Sequence, residues 1–267
     1  MFGKNKVVNP HFFEDAPKGT LKVTSIFPTI QGEGPFSGYA ATFVRLSHCS
    51  LACSFCDTYF ETGEYLSYME ILSRVRKAWT NFRKEHGPPL FYGQYPLIVI
   101  TGGEPMLQPG ISAFVLSALR SGFQVQIESN GMFYHELPTE ATLVISPKCN
   151  EQTRKYITPS EKILDRADYL KFVVSASEKG YTDIPEFAHR WIIRKAAVGG
   201  EIFLSPMNCY KTPPKKEDQT VEGRVSFWDP DILDMEKNRE NHRYAALLAM
   251  RLGLRVSLQT HLLLEVP

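Results

Sequence analysis

Short apolar runs rich in β-branched and aromatic residues alternate with longer stretches of helical periodicity along nearly the whole chain, and this alternation restricts the fold more than any other feature. The strand-like runs are 22–27, 41–46, 97–101, 124–128, 142–146, 169–174, 202–204 and 255–259. Several are continuously apolar, as strands covered on both faces tend to be. The clearest helix spans 68–86: Ser67 and Glu70 form a capping box, Leu72, Val75, Trp79 and Phe82 share one face, and Gly87, Pro88 and Pro89 end it. Further helices are expected over 111–121, stopped by Gly122, over 184–197, and from just after Asp229-Pro230 to Gly253. Such alternation predicts an α/β fold with a mostly parallel sheet whose ligands bind on loops at the carboxyl ends of the strands. An open twisted sheet and an incomplete (β/α) barrel suit 267 residues equally well. No internal repeat divides the chain, so one domain over 1–267 is expected. The linker-like piece 210–223, where Lys211, Lys215, Lys216, Glu217 and Asp218 surround Pro213-Pro214, reads as a solvated loop.

Charge and hydropathy remove whole classes of function. Lys and Arg number 30 against 29 Asp and Glu, so no basic surplus draws the chain to nucleic acid. No apolar run approaches the roughly 18 residues of a membrane span, and the first residues lack the apolar stretch of about 7–15 that a signal peptide needs. The expectation is a cytoplasmic chain with no membrane span and no direct nucleic-acid contact. Five cysteines make a poor disulfide framework, since the number is odd and Cys49, Cys53 and Cys56 crowd into eight residues, far from Cys149 and Cys209. That distribution suits a reduced protein holding a metal or cluster.

The C-x-x-x-C-x-x-C spacing begins three residues after the strand ending at Leu46, on the kind of loop where an α/β protein places chemistry. Three thiolates so close together must share a metal or repel one another. They leave one coordination position of a four-metal cluster free, whereas structural zinc would need a fourth ligand from His48, Asp57, Cys149 or Cys209. A second motif, Thr101-Gly102-Gly103-Glu104-Pro105, follows the strand 97–101; paired glycines permit close backbone approach, and Glu104 can accept from an ammonium.

With Phe55 directly before Cys56, the cysteine spacing resembles the signature of radical S-adenosylmethionine (SAM) enzymes, and the glycine motif resembles their SAM amino-group motif. That resemblance implies a [4Fe-4S] cluster on Cys49, Cys53 and Cys56, with SAM chelating the fourth iron and yielding a 5′-deoxyadenosyl radical on reductive cleavage. The stretch from Phe27 to Pro35, Arg45, Cys56-Asp57-Thr58, Glu128-Ser129-Asn130-Gly131, Ser146-Pro147-Lys148, Ser205-Pro206-Met207 and a final proline resemble the 7-carboxy-7-deazaguanine synthase family. The fold so implied is an incomplete (β/α) barrel of the radical SAM type, with insertions near 65–90 and 208–230. The activity implied is ring contraction of 6-carboxy-5,6,7,8-tetrahydropterin to 7-carboxy-7-deazaguanine with loss of ammonia, on the route to queuosine. By the same resemblance the pterin meets Ile30, Gln31, Gly32, Glu33, Arg45, Thr101 and the α-carboxylate of Pro267, and Thr58 holds Mg²⁺. SAM meets Phe55, Asp57, Gly103, Glu104, Glu128, Asn130, Ser146, Pro147 and Lys148. A homodimer and a flavodoxin-type reductant are also implied.

One departure stands out: Leu262 follows Gln259-Thr260-His261 where the family often has lysine. His189, His242 and His261 read as core or surface residues. Two other functions share the cysteine spacing, a glycyl-radical activase and a non-catalytic iron–sulfur or zinc protein. Metal analysis separates the last, because about four irons per chain fits the cluster and zinc without iron does not.

Overall fold

The computed structural model describes residues 5–87, 97–211 and 228–266. In chain order these form β1 (Thr20–Ile30), β2 (Ala40–Leu46), β3 (Glu64–Ser67), α1 (Tyr68–His86), β4 (Leu97–Gly102), α2 (Ile111–Arg120), β5 (Val125–Ser129), β6 (Thr142–Ile145), α3 (Glu161–Arg166), β7 (Tyr169–Val174), α4 (Glu186–Lys195), β8 (Glu201–Pro206), α5 (Met235–Leu252), β9 (Arg255–Val256) and α6 (Thr260–Leu264). The nine strands make one sheet in the order β3-β1-β2-β4-β5-β6-β7-β8-β9. From β2 across to β9 every neighbouring pair is parallel, whereas β1 runs antiparallel to both β2 and β3. This is the expected α/β sheet, mostly parallel and open.

Strand chemistry explains the two faces. On β7, Leu170, Phe172 and Val174 enter the main core with Phe187, Ala188 and Trp191 of α4, while Lys171 faces the other way. On β5, Val125 and Ile127 enter that core and Gln126 and Glu128 alternate with them. The helices thus cover one face, and the opposite face is polar at the carboxyl ends of the strands. The sheet curls enough for the loop after β1 to reach its far side: Gly34 N donates to Ser257 Oγ (2.8 Å), and Glu33 bonds to groups on β7 and β8. A loop therefore bridges the gap that a closed barrel would fill with a strand. Among the described residues no helix is long and apolar enough to cross a membrane.

Local signals placed most elements. Ser67 and Glu70 close the capping box on α1, with Glu70 N donating to Ser67 Oγ (3.3 Å) and Ser67 N to Glu70 Oε2 (2.8 Å). The expected stripe on α1 is buried only in part. Leu72 and Val75 are inside, but Phe82 is 40% exposed and stacks on Trp79, because the sheet lies under the first half of the helix. Helix α4 starts at Glu186 and not at 184, since Pro185 occupies the N-cap position in extended conformation. Helix α5 starts at Met235 and not after Pro230, because Asp234 caps it by accepting from Lys237 N (3.2 Å). Strand β9 stops at Val256 and not at 259, where the chain turns into α6. Strand β3, α3 and α6 span four to six residues each, too few for a period to register.

Candidate active site

The cysteine loop is held by backbone bonds to its neighbours. After β2 ends at Leu46, Ser47 N donates to Lys22 O (2.9 Å), His48 N to Phe60 O (2.7 Å), and Val8 N, from the amino-terminal segment, to Cys49 O (2.9 Å). The motif after β4 locks against the same turn: Gly103 N donates to Leu46 O and Glu104 N to His48 O, both at 2.8 Å. His48 takes a left-handed conformation with φ of 70°. A Cβ on Gly103 would overlap the His48 carbonyl, and one on Gly102 would overlap the Leu46 backbone. The paired glycines thus let two loops interlock, in addition to exposing Gly103 to the cleft. Replacing Gly103 with alanine is expected to push the cysteine loop outward, costing about 1–3 kcal/mol. A lower melting temperature together with reduced iron retention checks this, and an unchanged melting curve contradicts it.

A cleft of about 210 Å³ opens over the carboxyl ends of the strands and is lined by Cys49, Cys53, Cys56, Phe55, Asp57, Thr58, Gln31, Glu33, Arg45, Thr101, Gly103, Glu104, Glu128, Asn130, Ser146 and Lys148. Parallel register seats Arg45 of β2 beside Thr101 of β4. Ile30, Gly32 and Pro147 do not line the cleft, and Pro267 lies outside the described residues. The expected recognition by the backbone of 30–32 meets a competitor. Gln31 N donates to Tyr39 O and Gly38 N to Gln31 O, both at 2.8 Å, and Ser37 Oγ donates to Gly32 O (3.0 Å). Within this stretch the Gln31 side chain is what reaches the cleft.

Charge is arranged with care inside the cleft. Glu104, 1% exposed, accepts from Met106 N (2.9 Å), Ser129 Oγ (2.8 Å) and Asn130 N (2.7 Å), while burial raises its pKa. Lys148 is turned back onto Ser146, donating to its carbonyl (2.7 Å) and its hydroxyl (2.6 Å). Asp57 accepts from Gln259 Nε2 (2.7 Å) and Thr58 Oγ1 (3.0 Å); burial opposes its charge, but these bonds and nearby Arg45 hold its carboxyl below the ordinary range. Arg45 is different. Its guanidinium lies over the Phe27 ring (4.9 Å to the centroid), and among the described residues no hydrogen-bond or ion-pair acceptor engages it. Burial lowers its pKa, offset by Asp57 and Cys56.

The structure adds residues that the sequence reading passed over. Lys171, Ser205, Asn208, Gln259 and His261 all line the cleft. His261, read as core or surface, has an Nδ1 without a partner among the described residues, and burial pulls its imidazole below the ordinary pKa. Gly32 has no room for a side chain because His261 packs against it.

The donor set fits an iron–sulfur cluster. All five cysteines are free thiols. Burial, with the Asp57 charge added, pushes the Cys56 thiol up to about 12 and raises Cys49 and Cys53 as well, so thiolates here need a cation beside them. The other two cysteines do not line the cleft: Cys149 donates to Gly180 O (3.2 Å), and Cys209 accepts from Asn241 Nδ2 (3.5 Å). His48 packs against the Phe12 ring, tilted by 31°, and meets Phe13 edge to face. Of the fourth ligands that zinc would recruit, Cys149, Cys209 and His48 are thus turned elsewhere, and Asp57, though in the cleft, is engaged by Gln259 and Thr58. Among the described residues no three His, Cys, Asp or Glu side chains converge on a single ion. Cysteines of a four-iron cluster each ligate a separate iron and need not converge so tightly.

No protein-family model matches the chain. It is 36% identical over 246 residues to the 7-carboxy-7-deazaguanine synthase of Rickettsia prowazekii (strain Madrid E), covering 92% of this chain and 88% of that one. The chain belongs to the 7-carboxy-7-deazaguanine synthase family. A second member, from Rhodospirillum rubrum, is 30% identical over 272 residues and covers the whole of both chains. The fold agrees with the crystal structure of QueE from Escherichia coli, at a TM-score of 0.57 and 18% identity over 95% of this chain and 99% of that one. As a member of the 7-carboxy-7-deazaguanine synthase family the chain is a radical SAM enzyme, with a [4Fe-4S] cluster and SAM as cofactors. Cys49, Cys53 and Cys56 are the residues that would hold the cluster. The zinc-protein and activase readings fall with this.

Proposed function

We propose that this cleft carries out the family's ring contraction of 6-carboxy-5,6,7,8-tetrahydropterin to 7-carboxy-7-deazaguanine through a defined division of labour among its residues. The observation that carries the reading is Arg45, a half-buried guanidinium facing the cleft with an aromatic ring as its neighbour and, among the described residues, no anion bonded to it. Such a group suits a carboxylate ligand, which it can grip through two parallel N–H bonds. Thr101 stands next to it in register and supplies a hydroxyl to the same substrate. Glu33 accepts from the ring N–H edge, since each oxygen of an ionised carboxylate keeps capacity beyond the one bond it makes to Ser205 or Lys171.

When held by Cys49, Cys53 and Cys56 on one side and the SAM-contacting residues on the other, the cluster and SAM would supply the radical chemistry of hydrogen abstraction. The chain's own residues bind, orient and shield. Glu104 retains acceptor capacity for the amino group of SAM, and Phe55, Gly103, Ser146 and Lys148 line the cleft with it. Asn130 ties this lining to the cysteine loop, its Nδ2 lying 3.5 Å from Ser50 Oγ. Glu128 lines the cleft too, but Gln31, Gln126 and Lys171 occupy its oxygens, which makes it a support for Gln31 more than a SAM contact. Thr58, beside Asp57, is the proposed Mg²⁺ ligand, a hard oxygen donor suited to a cation that polarises the substrate carboxylate. A cytoplasmic homodimer served by a flavodoxin-type reductant completes the reading.

The test is anaerobic. With reconstituted cluster, SAM, dithionite, Mg²⁺ and the carboxylated pterin, mass spectrometry is expected to show 7-carboxy-7-deazaguanine, at a lower rate when Mg²⁺ is omitted. SAM cleavage to 5′-deoxyadenosine without that product would leave the cluster assignment standing and overturn the substrate.

A further inference from the structure

Among the described residues, Lys171 is the one cation of the cleft whose side-chain bonds all go to carboxylates. It rises from the polar face of β7, its side chain 8% exposed, with Nζ 2.6 Å from Glu128 Oε2 and 3.2 Å from Glu33 Oε2. Those carboxylates come from separate parts of the fold, β5 and the loop after β1. The remaining oxygens are also held: Glu33 Oε1 accepts from Ser205 Oγ (2.7 Å), and Glu128 Oε1 from Gln31 Nε2 (3.0 Å) and Gln126 Nε2 (2.9 Å). Gln31 Oε1 accepts in turn from Glu33 N (3.1 Å), which closes a ring through Lys171, Glu128, Gln31 and Glu33.

We propose that Lys171 is a positioning residue for substrate recognition: by bridging Glu33 and Glu128 it fixes the Glu33 carboxylate in the orientation that accepts from the pterin N–H edge. This rests on the pterin reading above. Without that ammonium the two carboxylates would face one another with no shared cation between them, and their repulsion would turn Glu33 away from the substrate edge. Among the described residues no other cation bonds to these two carboxylates: Lys148 is near enough to act on both through space but donates its hydrogen bonds to Ser146, Arg45 lies over Phe27, and burial lowers the pKa of the His261 imidazole. A lysine suits the place because a compact ammonium with three donors can serve two carboxylates approaching from different directions.

The experiment uses the reconstituted holoenzyme and calorimetric titration with 6-carboxytetrahydropterin and, separately, with SAM. Lys171→Met is expected to weaken pterin binding at least about tenfold, the worth of a hydrogen bond to a charged group, while SAM affinity stays within about twofold of the unmodified enzyme. Lys171→Arg, which restores the charge, is expected to recover most of the loss. The double variant Lys171→Met, Glu128→Gln is expected to bind pterin better than Lys171→Met alone, because no second carboxylate then repels Glu33 from its place; a lysine that acted only as a strut would give no such recovery. The inference is overturned if Lys171→Met binds pterin as the unmodified enzyme does, if SAM affinity falls in parallel, or if the double variant is no better than the single. Should the unmodified holoenzyme fail to bind pterin, the substrate reading and this inference fall together, whereas normal pterin binding by Lys171→Met removes this inference alone.

Discussion

Cys49→Ala, Cys53→Ala and Cys56→Ala are each expected to abolish iron retention and, with it, all SAM cleavage. The loop offers no substitute ligand. Cys149 and Cys209 are bonded elsewhere, His48 packs against the Phe12 and Phe13 rings, and Asp57 is engaged by Gln259 and Thr58. A cluster left with two thiolates has lost a third of its protein attachment in a pocket where burial already disfavours the free thiolate. Iron and sulfide analysis after anaerobic reconstitution, with 5′-deoxyadenosine measured in parallel, checks the expectation. Folding should survive, since a thiol replaced by a methyl hydrogen removes little volume, and far-ultraviolet circular dichroism provides that control. Cys149→Ala, by contrast, is expected to keep its iron. Sustained SAM cleavage in any of the three loop variants would overturn the cluster assignment.

Arg45→Ala has the second largest expected effect, and it acts on substrate alone. Removing the cation from a desolvated carboxylate typically costs about 2–5 kcal/mol of binding, so pterin affinity should fall by roughly 30- to several thousand-fold while SAM binding holds. Arg45→Lys should recover only part of this, because an ammonium cannot make the paired planar contact. The same geometry predicts an unusual stability result. The free protein keeps Arg45 half-buried against the Phe27 ring, an interaction worth about 0.5–2 kcal/mol, and among the described residues no hydrogen-bonded anion offsets the penalty of holding its charge partly away from water. The melting temperature of ligand-free Arg45→Ala is therefore expected to be no lower than that of the unmodified chain. A marked drop would mean that Arg45 supports the fold and not the ligand; unchanged pterin affinity would remove it from the site.

Much of the framework was legible because its signals are local. The capping box of Ser67 and Glu70, the apolar runs of β4 and β7, and the spacing of Cys49, Cys53 and Cys56 all act over a few residues, where the geometry of one turn or one loop decides the outcome. The glycines after β4 were legible as a place of close approach, though what approaches them first is the backbone of Leu46 and His48. The start of α5 was misplaced because two local signals competed, and the capping bond of Asp234 outweighed the proline at 230.

The charged interior of the cleft could not be read in that way. Lys171 is a single basic residue in the run Tyr-Leu-Lys-Phe-Val-Val, a pattern equally suited to a strand with one solvated position. Its partner Glu33 is 138 residues away, and Gln259 reaches Asp57 across 202 residues. His261 carried no distinguishing neighbour in sequence and was assigned to core or surface. By itself the sequence determined the alternation of elements, the cysteine loop and the identity of the family, because these depend on short-range spacing and on residues whose chemistry is uncommon. Only the tertiary structure decided which charges neutralise one another and which is left for the ligand, because those pairings follow from the order of the strands and from a curl of the sheet that brings the loop after β1 against β7 and β8.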